Sequence, residues 1–239
     1  MSDIKARLEA NLSAIKERIA DAARRAGRNP QSVRLVVVTK YASADLARQV
    51  AELRYMDLAE SRPQELWAKA ALLQDLPVRW HLVGHLQRNK VRRTLPITSW
   101  IHSVDSVRLL DEIQRQADAL GLRPQVLLEV NVSGDAAKHG FAPDELPSVV
   151  ARLAEWPSLQ VCGLMAMAGL THTHEAAAAD FRRLRQLRDA LADTVPPPHH
   201  LTELSMGMSG DFEEAVLEGA TMVRVGSAVF EGVENAEPR

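Results

Sequence analysis

A barrel of eight alternating strands and helices, the (β/α)8 or TIM-barrel α/β class, is the fold this sequence predicts, and three observations predict it. Apolar, β-branched runs recur eight times, near 33–40, 55–60, 79–84, 100–104, 125–132, 159–167, 200–205 and 222–229. Helical periodicity fills most of the intervals, and strands that alternate with helices imply βαβ crossovers and a parallel sheet. The length of 239 residues matches the ~250 typical of eight such units. Periodicity does not show closure, so an open doubly wound sheet stands as the alternative.

The elements follow in order. Ile4, Leu8, Leu12, Ile15 and Ile19 recur every three or four residues, the stripe of an amphipathic helix that precedes the first strand and is additional to the minimal barrel. Its end, "AARRAGR", resembles part of an organelle transit peptide. Asp3, Glu9, Glu17 and Asp21 are acidic residues such peptides avoid, so an integral helix is expected. The first strand lies within "SVRLVVVTKYAS" (32–43), where Leu35 to Val38 lead into Thr39 and Lys40. Helices are expected over 44–54, 63–74, 106–120, 143–155, 174–193 and 210–219, with a shorter helical interval near 86–95. "VPPPHH" (195–200) reads as a stiff connector into the seventh strand. No linker or composition break divides the chain, so one domain over 1–239 is expected.

Composition narrows the function classes. Hydrophobic residues make up 46% and charged residues 25%, ordinary for a globular protein in water. A net charge of −2 gives no electrostatic footprint for nucleic acid or an anionic membrane. No run approaches the ~20 apolar residues that span a bilayer, and the N-terminus lacks a signal peptide's apolar core. The only cysteine, Cys162, precludes an internal disulfide and fits a reducing cytosol, so a cytoplasmic location is expected. In "VCGLMAM" it reads as a small core residue, not a nucleophile.

Lys40 shares a strand face with Val36 and Val38, because side chains alternate. If that face points into the barrel, Lys40 stands at the C-terminal rim, where active sites of this fold lie. Partial desolvation there would make it an amine nucleophile suited to Schiff-base formation. The plain alternative is a snorkelling surface charge. Near the other end, "LSMGMSGDFEEA" (204–215) places Ser205, Gly207, Ser209 and Gly210 before a helix, and Gly226 and Ser227 end the eighth strand. Hydroxyls and approachable amides at these two rims suit a phosphate. The simpler reading is a helix cap with turn glycines. For an anion to bind, Asp211, Glu213 and Glu214 must point away. Lysine and cradle together suggest an aldehyde bearing a phosphate, with pyridoxal 5′-phosphate (PLP) the foremost candidate and Arg224 able to reach its ring. A class I aldolase acting on a sugar phosphate shares this logic.

The sequence resembles the pyridoxal phosphate homeostasis protein family, also called the proline synthetase co-transcribed homologues, over nearly its whole length. The resemblance rests on "VVVTK" (36–40), "WHLVGHLQRNK" (80–90), "IHSVDS" (101–106), "EVNVSGDAAKHGF" (129–141), "GLMAM" (163–167), "LSMGMSGDFEEAV" (204–216) and "VRVGSAVF" (223–230). It implies the barrel of alanine racemase, covalent binding of PLP at Lys40, and a role in intracellular cofactor supply with little catalysis. It further implies phosphate contacts from Ser205, Gly226 and Ser227, and Arg224 facing the pyridine nitrogen. Ser61, His81, Met165, Met206 and Gly207 complete the candidate cofactor shell. Two departures bear on affinity. Ala59-Glu60-Ser61 stands where the family commonly has Gly-Glu-Asn, and Phe230-Glu231 where it has Phe-Gly.

Other residues carry weaker signals. His81 and His85 flank the third strand, with His81 a candidate for the mouth, and Asn89 and Lys90 read as a cap or rim. "HTH" (172–174) and His199-His200 lack the carboxylate or cysteine spacing of a metal site, so no metal is expected. Lys138 is a second candidate amine, against a solvated-surface reading. Met165 and Met167 share one face of the sixth strand and read as barrel filling. The leading function is a PLP carrier, a monomer in transient contact with PLP-dependent apoenzymes. The enzyme alternative is an amino-acid racemase. The racemase resemblance implies a second, tyrosine-bearing domain, which this chain is expected to lack, and Tyr41 rather than Tyr55 is the tyrosine placed to matter. A purely structural barrel would leave Lys40 unexplained.

Overall fold

The computed structural model describes residues 3–135, 139–169 and 173–233. Helix α1 (Asp3–Arg25) comes first, with Leu8, Leu12, Ile15 and Ile19 buried along one stripe, as their spacing requires. Eight strands alternating with seven helices follow among the described residues: β1 (Arg34–Val38), α2 (Ala44–Glu52), β2 (Asp57–Glu60), α3 (Pro63–Leu72), β3 (Arg79–Leu82), α4 (Val91–Thr94), β4 (Thr98–Val104), α5 (Val107–Leu120), β5 (Gln125–Glu129), α6 (Leu146–Ala151), β6 (Gln160–Met165), α7 (His174–Leu191), β7 (Glu203–Ser205), α8 (Phe212–Leu217) and β8 (Met222–Val225). The strands pair in sequence order, and β8 returns to β1 with Arg224 opposite Val36. The sheet is a closed barrel, which excludes the open-sheet alternative.

Strand alternation divides the core in two. Val36, Ala59, Trp100, Leu127, Cys162, Met165 and Met222 fill the barrel interior. Their neighbours, Val37, Leu58, Ile101, Leu128, Val161 and Val223, face outward beneath the helices. Cys162 and Met165 lie three apart yet both point inward, because the β5–β6 register shifts between Val126 and Leu127. Gly163 sits between them, and a Cβ there would collide with the Glu203 backbone, so only glycine lets β7 approach.

Several strands stop earlier than the apolar runs suggest. β1 ends at Val38, two residues before Lys40. β6 ends at Met165, so Met167 is 36% exposed and does not fill the barrel. The helix expected over 143–155 is α6 followed by a separate 3-10 turn, Leu153–Glu155. The interval near 86–95 is a 3-10 turn, Arg88–Lys90, running into α4, and the Lys90 carbonyl accepts from Thr94 Oγ1. Asn89 and Lys90 therefore build a helix start.

Helix α1 covers α8 and the segment after β8. Asn11 Nδ2 donates to the Val229 and Glu231 carbonyls, Arg28 donates to those of Val216 and Ala220, and Arg18 forks onto Glu213. Glu231 needs no left-handed backbone; Gly232, one residue on, takes that conformation with φ 68°. No helix of the described residues is long and apolar enough to cross a membrane.

Candidate functional site

The turn after β1 carries Lys40, and a buried ion pair anchors its root. Lys69 Nζ, from α3, donates to Glu60 Oε1 at 2.6 Å and to the Thr39 carbonyl at 2.7 Å. Thr39 Oγ1 donates to the same carboxylate oxygen at 2.6 Å. Glu60 and Thr39 are fully buried and Lys69 nearly so. The backbone is thus pinned one residue before Lys40. Lys40 itself is exposed, with Nζ 4.8 Å from the centroid of the Tyr41 ring. The expected partial desolvation is absent, because the strand ends before the lysine and its side chain leaves the inward face. It still stands at the C-terminal rim.

The second rim adjoins the first. Gly226 follows β8 and packs on Val38, where an added Cβ would lie 3.1 Å from the Val38 carbonyl oxygen and 3.3 Å from its Cβ. Ser209 Oγ accepts from the Gly226 and Ala228 amides at 3.2 and 3.4 Å. Both of its lone pairs are then engaged, which leaves its own proton to donate outward. Ser227, exposed, lies between these two amides. Gly207 has φ 91°, and a Cβ there would strike Phe212, so the loop needs glycine. Met206 is fully buried beneath the helices and offers the rim only its backbone. Two of the three acidic residues are drawn into ion pairs, Glu213 with Arg18 and Glu214 with His174, whereas Asp211 stays at the loop, its Oδ1 accepting from the Met208 amide and its charge acting on Arg224. Ser61 follows β2, its carbonyl so close to Gly84 that a Cβ on Gly84 would overlap it.

Inside the barrel, beneath the mouth, lies a line of polar groups. Arg224 is 4% exposed and donates from Nη1 to Ser205 Oγ at 2.7 Å and from Nη2 to the Ala166 carbonyl at 3.0 Å. Ser205 Oγ meets His102 Nδ1 at 2.8 Å, His102 Nε2 meets His81 Nδ1 at 2.9 Å, and His81 Nε2 meets Asp57 Oδ1 at 3.0 Å. Ser205, expected at the phosphate, is fully buried with its hydroxyl engaged on both sides, whereas Ser209 Oγ takes the Gly226 and Ala228 amides at the rim. His81 is likewise sealed in the interior and does not line the mouth. Met165 lies in the same interior, fully buried.

Burial governs the electrostatics of this line. It lowers Arg224 to about 10, which leaves the guanidinium charged at neutral pH. It lowers both histidines, His102 furthest, with help from neighbouring positive groups including Arg34. Burial pushes Asp57 upward, but its bonds to Arg79 and His81 prevail and hold it well below the usual carboxylate range. Glu129, at the upper end of β5, is raised to about 7 by burial and by nearby Asp105.

The remaining candidates lie elsewhere. His85, Asp105 and His139 cluster at the rim, with His85 Nδ1 3.0 Å from Asp105 Oδ2. The two imidazoles stack, centroids 4.7 Å apart at 21°. One ligand atom from each of the three lies within 4.8 Å of the others, a grouping the sequence reading did not single out. His199 Nδ1 accepts from the Val161 amide, and His200 bonds Thr202, so both serve the connector. Burial pushes the Cys162 thiol up to about 12, consistent with an inert core residue. Tyr55, half-buried before β2, is far from the rim in the strand direction. Lys138 and His172 lie outside the described residues.

Sequence reasoning passed over His102, Asp57 and Glu129. The signal for His102 was available: it alternates with Trp100, the residue just before "IHSVDS", which puts both on the inward face of β4. Asp57 and Glu129 had none, since a carboxylate at a strand end reads as solvated.

The sequence matches the family described as "Alanine racemase, N-terminal domain" over residues 10–233. A relative from Pseudomonas aeruginosa, named pyridoxal phosphate homeostasis protein, is 41% identical over 221 residues, covering 92% of this chain and 93% of that one. The structure of PipY from Synechococcus elongatus with PLP bound superposes with a TM-score of 0.82 at 35% identity, covering 93% of this chain and 99% of PipY. An alanine racemase from Clostridium difficile is similar in fold alone, with a TM-score of 0.72 at 14% identity, over 94% of this chain and 55% of the racemase.

Proposed function

The chain belongs to the pyridoxal phosphate homeostasis protein family, and from that premise we propose that its barrel mouth binds PLP, holds it on Lys40 as a Schiff base, and serves intracellular cofactor balance and delivery with little or no catalysis. The observation that supports this most is the meeting of Lys40, the Ser209–Gly226–Ser227 cradle and Arg224 at one end of one barrel, with Gly226 packed on Val38. The donor set fits the group. Bound there, PLP supplies an aldehyde for the amine and an electron-withdrawing ring. Ser209 offers its hydroxyl proton to the phosphate, and Arg224 offers N–H donors to the ring nitrogen. A guanidinium cannot give up its proton there, so it leaves that nitrogen unprotonated and the ring a weak electron sink. The exposure of Lys40 lets incoming amines and water reach the bond, which suits loading and transfer to apoenzymes.

Borohydride reduction of the loaded protein followed by peptide mapping tests this reading. One equivalent of cofactor on the Lys40 peptide is expected. Lys40→Ala should retain the wild-type circular dichroism and lose the visible absorbance of the lysine-bound cofactor. Full absorbance in that variant would remove Lys40 from the site and make Lys138 the next residue to test. Tyr41 beside Lys40 is the observation that favours a racemase-like enzyme instead. Loaded protein incubated with alanine in deuterated water separates the two: many turnovers per minute of α-deuteration would make this an enzyme.

A further inference from the structure

The polar line below Arg224 has only one economical arrangement of protons. Arginine has donors and no acceptor, so Ser205 Oγ must accept from Arg224 at 2.7 Å. The serine's single proton then goes to His102 Nδ1 at 2.8 Å. With Nδ1 accepting, a neutral His102 carries its proton on Nε2, aimed at His81 Nδ1 at 2.9 Å. His81 in turn carries its proton on Nε2, which meets Asp57 Oδ1 at 3.0 Å. The line begins at a buried cation and ends at a carboxylate that Arg79 grips through both oxygens, at 2.8 and 2.6 Å. Each proton has one position.

The reverse arrangement needs a protonated His81 donating to His102, and His102 donating to Ser205. Ser205 would then accept twice, and its own proton would need an acceptor that no hydrogen bond of the described residues supplies. It would also place a third buried charge between Arg224 and the Arg34–Arg79 end, against a histidine already disfavoured as a cation by burial. Trp100 stacks parallel to His81 at 6.3 Å and closes the remaining side. One neutral tautomer of each histidine satisfies every donor and acceptor along the line, and burial disfavours the charged form of both.

We infer that Asp57, His81, His102 and Ser205 form a one-way hydrogen-bonded line whose role is to position Arg224 as a fixed donor beneath the bound cofactor ring. The lower end of the line opens at Asp57 onto a cavity of about 460 Å³ at the base of the barrel, also lined by Arg34 and Arg79. These four are positioning residues, drawn from β2, β3, β4 and β7, and none touches the mouth. The part that concerns the ring rests on the proposed PLP site; the tautomers do not.

Nitrogen NMR of histidine-labelled, cofactor-free protein reads the line directly, with His81→Gln and His102→Gln supplying the assignments. Both residues should show a bare Nδ1 and a protonated Nε2 from about pH 5.5 to 8.5, a range in which an ordinary histidine titrates. His102 protonated on Nδ1, or His81 as an imidazolium within that range, would overturn the inference. Ser205→Ala should free His102 to titrate or change tautomer, and Ser205→Thr should restore the wild-type signals. Wild-type signals in Ser205→Ala would overturn it equally. In the loaded protein, Ser205→Ala should weaken PLP and pyridoxal alike, by roughly tenfold, because it acts through Arg224; selective loss of PLP would return Ser205 to the phosphate. If the wild-type protein takes up no PLP, the proposed function fails while the NMR still decides the line.

Discussion

Ser209 and Ser205 lie four residues apart and perform different tasks. Ser209 accepts two amides and has a proton left for an anion, whereas the Ser205 hydroxyl is engaged on both sides. Ser209→Ala should therefore lower affinity for PLP by about 10- to 100-fold, the worth of one hydrogen bond to a charged group, and leave pyridoxal affinity nearly unchanged. Titrations with the two aldehydes check this, and an equal loss for both would remove Ser209 from the cradle. Glu129 invites a pH experiment. Its folded carboxyl titrates at about 7, above the ~4.3 of an unfolded glutamate. Between those values the folded state holds more protons, so its share of stability falls as pH rises. Glu129→Gln lacks that slope. Urea midpoints should show it more stable than wild type at about pH 8 and level with it near pH 4; parallel curves would mean that Glu129 is solvated.

At the scale of elements, one ion pair ties three of them together. Glu60 ends β2, Lys69 comes from α3, and both bind Thr39 just beyond β1. Glu60 Oε2 already lacks a hydrogen-bond partner among the described residues. Lys69→Met would leave a buried carboxylate without its counter-charge, at a cost of roughly 3–5 kcal/mol. Chemical denaturation should show that loss, and adding Glu60→Gln should recover part of it. A cost under about 1 kcal/mol would indicate that water reaches the pair. The sequence makes both residues visible but not the pairing, since Lys69 reads as one of many helix-surface lysines. Strand ends are equally hidden. "VVVTK" continues the apolar run up to Thr39, yet pairing with β2 ends at Val38 opposite Ala59, so Lys40 swings out into solvent.

Closure is a property of the whole molecule. β8 pairs with β1 over four residues, and α1, through Asn11 and Arg18, and the turn after it, through Arg28, hold that junction from outside. Leu12 is fully buried in this helix. Leu12→Ala should cost about 2–5 kcal/mol by urea unfolding, although residue 12 precedes the first strand and lies outside the eight-unit repeat. A loss below about 1 kcal/mol would make α1 an appendage and not a structural part of the barrel.

The sequence by itself determined the eight alternating units, the extra helix, the inward and outward strand faces, and the lysine and glycine–serine loops of the mouth. Those features are local: periods of 2 and 3.6 residues and a few glycines with little conformational choice carry them. Tertiary structure alone decided closure, the β6 register that turns Cys162 and Met165 inward together, the solvated position of Lys40, and the burial of Ser205 while Ser209 takes the Gly226 and Ala228 amides. It alone also brought Asp57, His81, His102, Ser205 and Arg224 into one line. These residues span 57 to 224 and come from five strands, and the physical reason is that inward positions meet only after pairing sets which residues share a level of the barrel.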